Sequence, residues 1–475
     1  MHSRYVVPSL AALSAVALFF FQIDFVSSQQ FGGSFGGSGG GFGGGSNFRA
    51  QDPGVRSGAD AGGPIDGLKG PESVAFKKGA DTFAEVDDVP AGLGPRMNLD
   101  SCAGCHAQPA AGGSSPFVNP QVAFANGGTD MVPSFVTANG PVREARFVNN
   151  PDGTPDGGVH AIFTITGRTG ANGCTLAQPD FSTQLSNHNV IFRIPTPTFG
   201  AGLIEQIPDS AILANMNAGS SQKSNLGIKG RPNFQVAGRA ISGQTNRNGN
   251  DGTIARFGWK AQNKSLLLFA GEAYNVEQGI SSELFQTERE EDPNCQFATT
   301  PNDFTHHDAA AGDVLSDIEH FAVFMRFLAP PTPSTNTPGG ATSIANGRNL
   351  FSSVGCALCH TPTLTTGNTT VAALRNQPVN LYSDLLIHDM GPGLADGVSQ
   401  GQAGPTEFRT APLWGLGQRV FFLHDGRTSD LVRAIQAHRS GAGTTDPSEA
   451  NGVINNYNNL SENQKQDLLD FLRSL

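Results

Sequence analysis

Apolar residues recur at helical spacing around position 320. Within residues 315–328 they repeat every three or four positions and so share one face of a predicted helix, namely Ile318, Phe321, Met325 and Leu328. Ser316 or Asp313 can cap this helix, and the prolines at 330–331 end it.

A second apolar repeat closes the chain. Residues 468–475 predict an amphipathic helix, and Ser461 with Gln464 forms a capping-box pattern at its start. A shorter helix is predicted over residues 345–351. The pattern therefore indicates two units of similar plan, each closed by an aromatic-rich helix.

Residues 1–80 lack this organisation. Residues 1–28 have the positive charge (Arg4), apolar run and small residues of a secretory signal peptide, and the alternative is an uncleaved anchor that would bring the chain to a membrane. Residues 29–80 are rich in glycine and cannot bury enough apolar surface to offset backbone entropy. They are interpreted as a flexible linker, with folding expected from about Asp81.

Composition refines this picture. The chain has 475 residues, with 60 Gly and 30 Pro against 15% charged residues, which favours long loops around small helical cores. A net charge of −11 argues against a nucleic-acid partner and is compatible with a basic or neutral electron-transfer partner. Export to the periplasm or another oxidising compartment would permit a disulfide between Cys174 and Cys295.

Two copies of one pentapeptide carry the chemistry. Residues 102–106 and 356–360 both read Cys-x-x-Cys-His, the attachment signature of c-type haem. Cys-x-x-Cys alone could also be a zinc knuckle or a redox dithiol, but a zinc site needs four converging ligands, and the other two cysteines stand singly. The sequence predicts two covalently bound haem c groups, each with its iron, on these residues: Cys102, Cys105, His106, Cys356, Cys359 and His360.

The expected fold is mainly α, with two class I cytochrome c-like domains and long loops. The first spans residues 81–330 and carries a large insertion, because its haem motif lies far from its closing helix. A Pro, Thr, Ser and Gly linker separates it from the second domain, residues 341–475.

Five further stretches share their sequences with a known family. They read PTFGAGLIE at 197–205, RFGWKA at 256–261, DMGPGLADG at 389–397, EFRTAPLWG at 407–415 and HDGR at 424–427. Together they resemble the di-haem oxidoreductases, a family of peroxidases and thiol-oxidoreductase-like proteins. These are relatives of bacterial di-haem cytochrome c peroxidases and of the di-haem enzyme that matures methylamine dehydrogenase. The resemblance implies that electrons enter at a six-coordinate C-terminal haem and that oxidant reacts at the N-terminal haem.

The resemblance also implies a second axial ligand on the helix after the His-Asp-Gly motif. Relatives carry methionine or tyrosine there, and this chain has His438. Bis-histidine ligation by His360 and His438 is therefore predicted, which would lower the potential of that haem. Met390 and His388 are the alternative ligands, and His438 could instead be a solvent-facing residue at a helix end.

No distal ligand follows His106 closely in sequence, which predicts an open face able to bind peroxide or dioxygen. Ligands from farther along the chain are the alternatives: His160, His188 and Met216. Relatives place a catalytic glutamate in the segment matching 265–284, so Glu277 is predicted to move the proton, with Glu272 as second candidate. Phe269 stands where relatives carry glutamine, and either carboxylate could instead be a solvated helix residue.

Trp259 lies in the stretch where relatives carry a tryptophan that relays electrons between the haems, with simple packing as the alternative. Relatives also hold an inter-haem calcium partly through the residues before His-Asp-Gly, where the cationic Arg419 argues against it. The sequence thus favours an exported peroxidase-type oxidoreductase that takes electrons from a small redox protein. The alternatives are oxygen-dependent or protein-modifying oxidation, and electron carriage without substrate chemistry.

Overall fold

Helices form most of the regular structure, as the sequence predicts. The computed structural model describes residues 48–57, 60–97, 99–127, 131–155, 168, 170–234, 240–241, 244–245, 254–306 and 314–475. The predicted signal peptide lies outside these residues. The helices are α1 (Gly70–Phe83), α2 (Cys102–Cys105), α3 (Pro120–Gly127), α4 (Phe181–Ser186), α5 (Ala201–Glu205), α6 (Asp209–Asn217), α7 (Ser220–Leu226), α8 (Leu266–Glu277), α9 (Asp317–Phe327), α10 (Gly340–Val354), α11 (Leu431–Ala437), α12 (Asn451–Asn458) and α13 (Glu462–Arg473).

The strands of the described residues are short and pair two by two. All five ladders are antiparallel: β1 (Glu144–Phe147) with β2 (Val190–Arg193), β3 (Asn233–Phe234) with β6 (Ile254–Ala255), β4 (Ala240–Ile241) with β5 (Gln244–Thr245), β7 (Leu364–Thr365) with β8 (Pro378–Val379), and β9 (Ile387–Asp389) with β10 (Glu407–Arg409).

Two helix pairs frame the haem motifs: α1 packs on α9, and α10 packs on α13. The second helix of each pair starts at a capping box. The Ser316 amide donates to Glu319 at 2.9 Å, and the Ser461 amide donates to Gln464 at 3.0 Å, so both capped starts are confirmed.

Each pair crosses at a glycine. A Cβ on Gly79 of α1 would lie 2.5 Å from a carbonyl oxygen of α9, and one on Gly347 of α10 would collide with a carbonyl oxygen of α13. A phenylalanine follows each glycine by four positions and so lies on the same helix face. The Phe83 ring lies 6.0 Å from the His106 ring, and the Phe351 ring lies 6.4 Å from the His360 ring, between centroids. The close crossing thus sets an aromatic ring beside each motif histidine.

The apolar cores do not follow the predicted boundary between residues 81–330 and 341–475. The core around α1, α8 and α9 also takes in buried residues between 364 and 386. The core around α10 and α13 takes in Ile228 from the other side of the boundary. The structure therefore differs from two separately packed domains, because chain segments cross between the two cores.

The predicted linker over residues 29–80 is wrong at its C-terminal end. Helix α1 begins at Gly70, and Asp52 forms an ion pair with Arg473 in α13 at 2.7 Å. This stretch is mostly polar and glycine-rich, but a few of its apolar residues, such as Phe76, are buried against α9. A few such anchors are enough when a partner helix covers them.

A disulfide ties together two distant parts of the long interior region. Cys174 and Cys295 are bonded with their Cα atoms 5.0 Å apart, which confirms that predicted pairing. None of the described helices combines the length and the apolar character that crossing a bilayer requires.

Candidate functional site

The first haem motif begins at a short capped helix. The Ser101 hydroxyl accepts from the Gly104 amide at 3.1 Å, which starts α2. His106 follows, and its Nδ1 lies 3.1 Å from the Gly113 carbonyl oxygen. Because a carbonyl only accepts, Nδ1 must donate, which leaves the Nε2 lone pair available to a metal. Burial lowers the pKa of His106 to about 4, so the ring is neutral at pH 7.

His106 and both motif thiols line a cavity with an empty volume of 1290 Å³, part of it open to solvent. Glu272 and Glu277 of α8 line the same cavity, as does Arg146 of β1. Phe269, at the position where relatives have glutamine, is also part of the wall. Both predicted carboxylates therefore share a cavity with His106.

Among the described residues lining this cavity, His106 is the sole histidine. Met216 and His188 do not reach it, and His160 lies outside the described residues. Met325 of α9 lines it, and this side chain is packed in the apolar core. No sequence motif marks Met325 as a candidate ligand.

Glu277 holds a proton at neutral pH in this environment. Its side chain is accessible to water through the cavity, while protein surrounds the cavity. Burial within this enclosure raises the pKa of Glu277 to about 8, and Glu144 adds to the rise while Arg146 opposes it. Burial also raises the pKa of Glu272, although Asn263 and Gln262 donate hydrogen bonds to its carboxylate.

Glu144 and Arg146 are two positions apart on strand β1 and form an ion pair, with 2.5 Å between guanidinium nitrogen and carboxylate oxygen. Both side chains line the His106 cavity. A four-residue strand in an insertion carries no motif that would mark it.

The second haem motif follows the C-terminal end of α10. Gly355 has φ 110°, a left-handed conformation that suits glycine and lets the chain turn into the motif. The His360 Nδ1 lies 3.0 Å from the Tyr382 carbonyl oxygen, again leaving Nε2 free. Burial lowers the pKa of His360 to about 4, and the nearby His438 adds to this effect.

His438 lies at the C-cap of α11, and its ring faces the same cavity as His360. This second cavity has an empty volume of 1420 Å³, part of it solvent. The His438 Nδ1 lies 2.8 Å from the Ala434 carbonyl oxygen, so its Nε2 is also free for a metal. Burial lowers the pKa of His438, which favours the neutral ring.

The alternative ligands differ in their surroundings. His388 is held at both ring nitrogens, by Glu449 at 2.8 Å and by Asp384 at 3.0 Å. Its ring has no nitrogen left for iron. Met390 also lines the cavity, and among the described residues its sulfur makes no hydrogen bond of this kind.

Trp259 lines both cavities. Its indole nitrogen donates to the Ile194 carbonyl oxygen at 3.0 Å, which fixes the ring. The His424 ring lies 6.5 Å away between centroids, edge to face. The tryptophan singled out in the sequence thus stands between the two motif-containing spaces.

The residues present suit two haem groups. The four motif cysteines are free of disulfides, as thioether formation requires. In the second cavity the guanidinium groups of Arg409 and Arg419 lie near each other, and burial together with this proximity lowers the pKa of Arg409 to about 10. Neither forms a salt bridge with a carboxylate in the described part of the chain. Two such cations, Arg409 buried and Arg419 half-buried, fit the anionic propionates of a haem.

Comparison with known proteins gives one strong match. Residues 144–475 match the family described as "Di-haem oxidoreductase, putative peroxidase". No curated protein matches.

Solved structures give more distant matches. The hydrazine synthase of Kuenenia stuttgartiensis is 19% identical over 34% of this chain and 57% of that one, with a TM-score of 0.23. The diheme peroxidase BthA of Burkholderia thailandensis E264 is 15% identical over 46% of this chain and 65% of that one, with a TM-score of 0.28. The match thus spans less than two thirds of either structure. The family match covers more than half of the sequence and includes the second haem motif, and this chain belongs to the di-haem oxidoreductase family.

Proposed function

We propose that this chain is an exported di-haem c-type oxidoreductase of the peroxidase type, built from two cytochrome c-like haem units. Oxidant would react at the haem on His106, and electrons would enter at the haem on His360 from a small redox protein. The supporting observation is the asymmetry of the two cavities. The second cavity presents two histidines, His360 and His438, whose Nδ1 atoms are bound to carbonyl oxygens, besides His388 and His424, whereas the first presents a single histidine, His106, together with Glu272 and Glu277.

The His106 cavity would carry out the proton chemistry. Reduction of hydrogen peroxide to two water molecules consumes two protons and two electrons. Haem iron on His106 would supply the site at which peroxide binds and receives electrons. Glu277, protonated at neutral pH, is suited to donate its proton to the leaving oxygen, and Glu272 is suited to accept one.

The haem in the His360 cavity would transfer electrons and would not bind substrate. His360 and His438 each present an unprotonated Nε2, so these two residues would hold the haem iron, and a haem held by two imidazoles would transfer electrons without binding substrate. Trp259, which lines both cavities, would carry electrons from this side to the other. The net charge of −11 suits a basic or neutral donor protein.

Export is supported by the disulfide between Cys174 and Cys295, since disulfides persist in oxidising compartments. Covalent attachment of c-type haem would occur in the same setting. Recovery of the protein from a periplasmic extract with residues 1–28 removed would support this part of the proposal.

Glu277→Gln tests the proton donor. We expect the kcat for peroxide reduction, with a reduced small cytochrome as donor, to fall by about 10²-fold or more, because the amide cannot deliver a proton. Glu283→Gln is the matched control, since Glu283 is an exposed glutamate shortly after α8 that does not line the cavity. Its kcat should equal that of the unaltered protein.

The spectrum of the unaltered protein tests the assignment as a whole. We expect one haem to bind carbon monoxide when reduced and to respond to peroxide, and the other to stay low-spin. Two low-spin haems inert to both ligands would instead identify an electron carrier, with Met325 as the first ligand to examine.

A further inference from the structure

Lys260 follows Trp259 in the chain and has a fully buried side chain. Its ammonium nitrogen lies 2.8 Å from the Gly404 carbonyl oxygen and 2.9 Å from the Glu407 carbonyl oxygen. Oδ1 of Asp396 lies 3.0 Å away, and the Pro405 carbonyl oxygen is next at 3.4 Å. An ammonium group has three protons, and three oxygens within 3.0 Å match them one to one. The cation is therefore enclosed and fully satisfied.

The oxygens of Asp396, Gly404, Pro405 and Glu407 form an oxygen cage around the Lys260 ammonium. This oxygen cage lies between the two cavities. Its carboxylate, Asp396, also binds Arg193 at 2.5 Å, and Arg193 lines the His106 cavity. On the other side, the Lys260 ammonium lies 4.0 Å from the centre of the Phe408 ring, which lines the His360 cavity. Lys260 thus connects the walls of both spaces.

The cage also holds the segment that carries Trp259. The Arg409 amide donates to the Trp259 carbonyl oxygen at 2.8 Å, and the Arg409 side chain donates to the Gly258 carbonyl oxygen at 3.0 Å. Lys260 binds the residues just before this point, from 404 to 407. Removal of the ammonium would leave the carbonyl oxygens of Gly404 and Glu407 without a donor, and would leave the buried Asp396 carboxylate with Arg193 as its remaining cationic partner.

These contacts disagree with an inter-haem calcium ion. Calcium takes six to eight oxygen ligands at about 2.3–2.6 Å, and here the convergent oxygens are already bound to a fixed positive charge. The segment before His-Asp-Gly offers the half-buried cation Arg419 rather than a carboxylate. Among the described residues, the one cluster of metal-binding side chains is Cys359, Asp384 and His388, which lies at the second haem motif.

We propose that the Lys260 ammonium is the permanent cation of the region between the haem cavities, and that this chain binds no calcium ion there. Lys260 acts as a positioning residue, since it holds the Trp259 segment and touches no substrate. The proposal rests on the presence of two haem sites and not on peroxidase activity, so the two can fail separately.

The first test uses the unaltered protein with both haems bound. Metal analysis after dialysis against EGTA, and again after calcium addition and gel filtration, should find no stoichiometric calcium. The midpoint of thermal unfolding should be the same in EGTA and in calcium. One calcium ion retained per chain, or a lower midpoint in EGTA, would overturn the proposal.

The second test removes the Lys260 ammonium group from the oxygen cage. Lys260→Ala should lower the thermal midpoint, and ethylammonium should raise it again, because the small cation fits the space that the side chain leaves. Lys260→Met keeps the volume without the charge and should show the loss without the recovery. Electron transfer between the haems, followed after rapid reduction of one of them, should slow in Lys260→Met.

Lys223→Met is the matched control. Lys223 is also buried, and its ammonium donates to the carbonyl oxygens of Asn215 and Met216, but it lines neither haem cavity. This variant should keep the rate of electron transfer between the haems. A Lys260→Met protein with unchanged midpoint and unchanged rate would refute the role of the cage. If Lys260→Ala does not fold, the calcium measurement on the unaltered protein still decides the question.

Discussion

At the scale of single residues, three histidines share one arrangement. In His106, His360 and His438 the Nδ1 atom faces a backbone carbonyl, which fixes the tautomer and leaves Nε2 free. His388 lacks this arrangement, since carboxylates hold both of its nitrogens. The hydrogen bond of each ring thus separates candidate iron ligands from a histidine that is only structural.

His438→Gly tests the sixth ligand of the C-terminal haem. We expect one of the two haems to change from low-spin to high-spin in optical and electron paramagnetic resonance spectra, because the ring facing the cavity is lost. Added imidazole should restore the low-spin signal by entering the vacated space. His306→Ala, at an exposed position, should leave the spectra unchanged. A low-spin spectrum in His438→Gly without imidazole would assign the ligand elsewhere in this cavity, where Met390 is the first residue to test.

The sequence identified those site residues that belong to a recognisable motif or to a stretch shared with the family. The two Cys-x-x-Cys-His motifs, Glu277, Trp259 and His438 all line one of the two cavities. Arg146 and Lys260 were missed as contributors for a physical reason. Lys260 depends on Asp396, which only the folded chain brings near. Arg146 pairs with Glu144 two positions before it, and only the fold shows that both side chains line the His106 cavity.

At the scale of elements, the two haem units repeat a glycine followed four positions later by phenylalanine. Gly79 with Phe83 and Gly347 with Phe351 occupy equivalent places, one against α9 and one against α13. The glycine permits close approach of the two backbones, and the phenylalanine ring reaches the motif histidine. The helix crossing and the haem site are therefore coupled within each unit.

Replacing either of these two glycines with alanine should destabilise the haem unit that contains it. We expect Gly79→Ala and Gly347→Ala each to lower the free energy of unfolding by about 1–3 kcal/mol, because the added Cβ meets backbone atoms that cannot move aside easily. Urea titration followed by circular dichroism measures this loss. Gly70→Ala, in open space at the start of α1, should cost nothing. Equal effects at all three positions would contradict the close-crossing explanation.

The sequence predicted helices well where a cap and an apolar repeat coincide. The starts of α9 and α13 follow from Ser316 and Ser461. Helix α1 was not predicted because its glycines, lysines and scattered apolar residues are typical of a linker. Its apolar residues become buried only when α9 packs against them. Its Pro at the first turn and Glu72 at the third helical position were the available signals.

At the scale of the whole molecule, the earliest described residues are bound to the last helix. Asp52 receives two hydrogen bonds from the Arg473 guanidinium, both at 2.7 Å, and the amides of Gly54 and Leu431 donate to the same carboxylate at 2.9 Å and 2.8 Å. The segment predicted to be a linker is thus part of the C-terminal core. Distant ends of the chain meet here, which no local pattern in the sequence could indicate.

Asp52→Asn should therefore destabilise the whole fold. Removal of one partner leaves the buried Arg473 charge unmatched, and we expect a loss of about 3–5 kcal/mol at pH 7, measured by urea unfolding. Asp60→Asn, at an exposed position in the same segment, should cost little. A loss of the same size in both variants would show that general changes in this segment, rather than the ion pair, cause the effect.

The difference between Asp52→Asn and the unaltered protein should itself depend on pH. Burial raises the pKa of Asp52, but Arg473 and the two amides outweigh this and hold the pKa below its ordinary value. A carboxyl group with a lower pKa in the folded state contributes stability above its unfolded-state pKa, and this contribution is lost as pH falls through the folded-state value. The gap between the two proteins should be constant near neutral pH and should narrow in acid. A gap that widens in acid would mean that Asp52 is not the charged partner of Arg473.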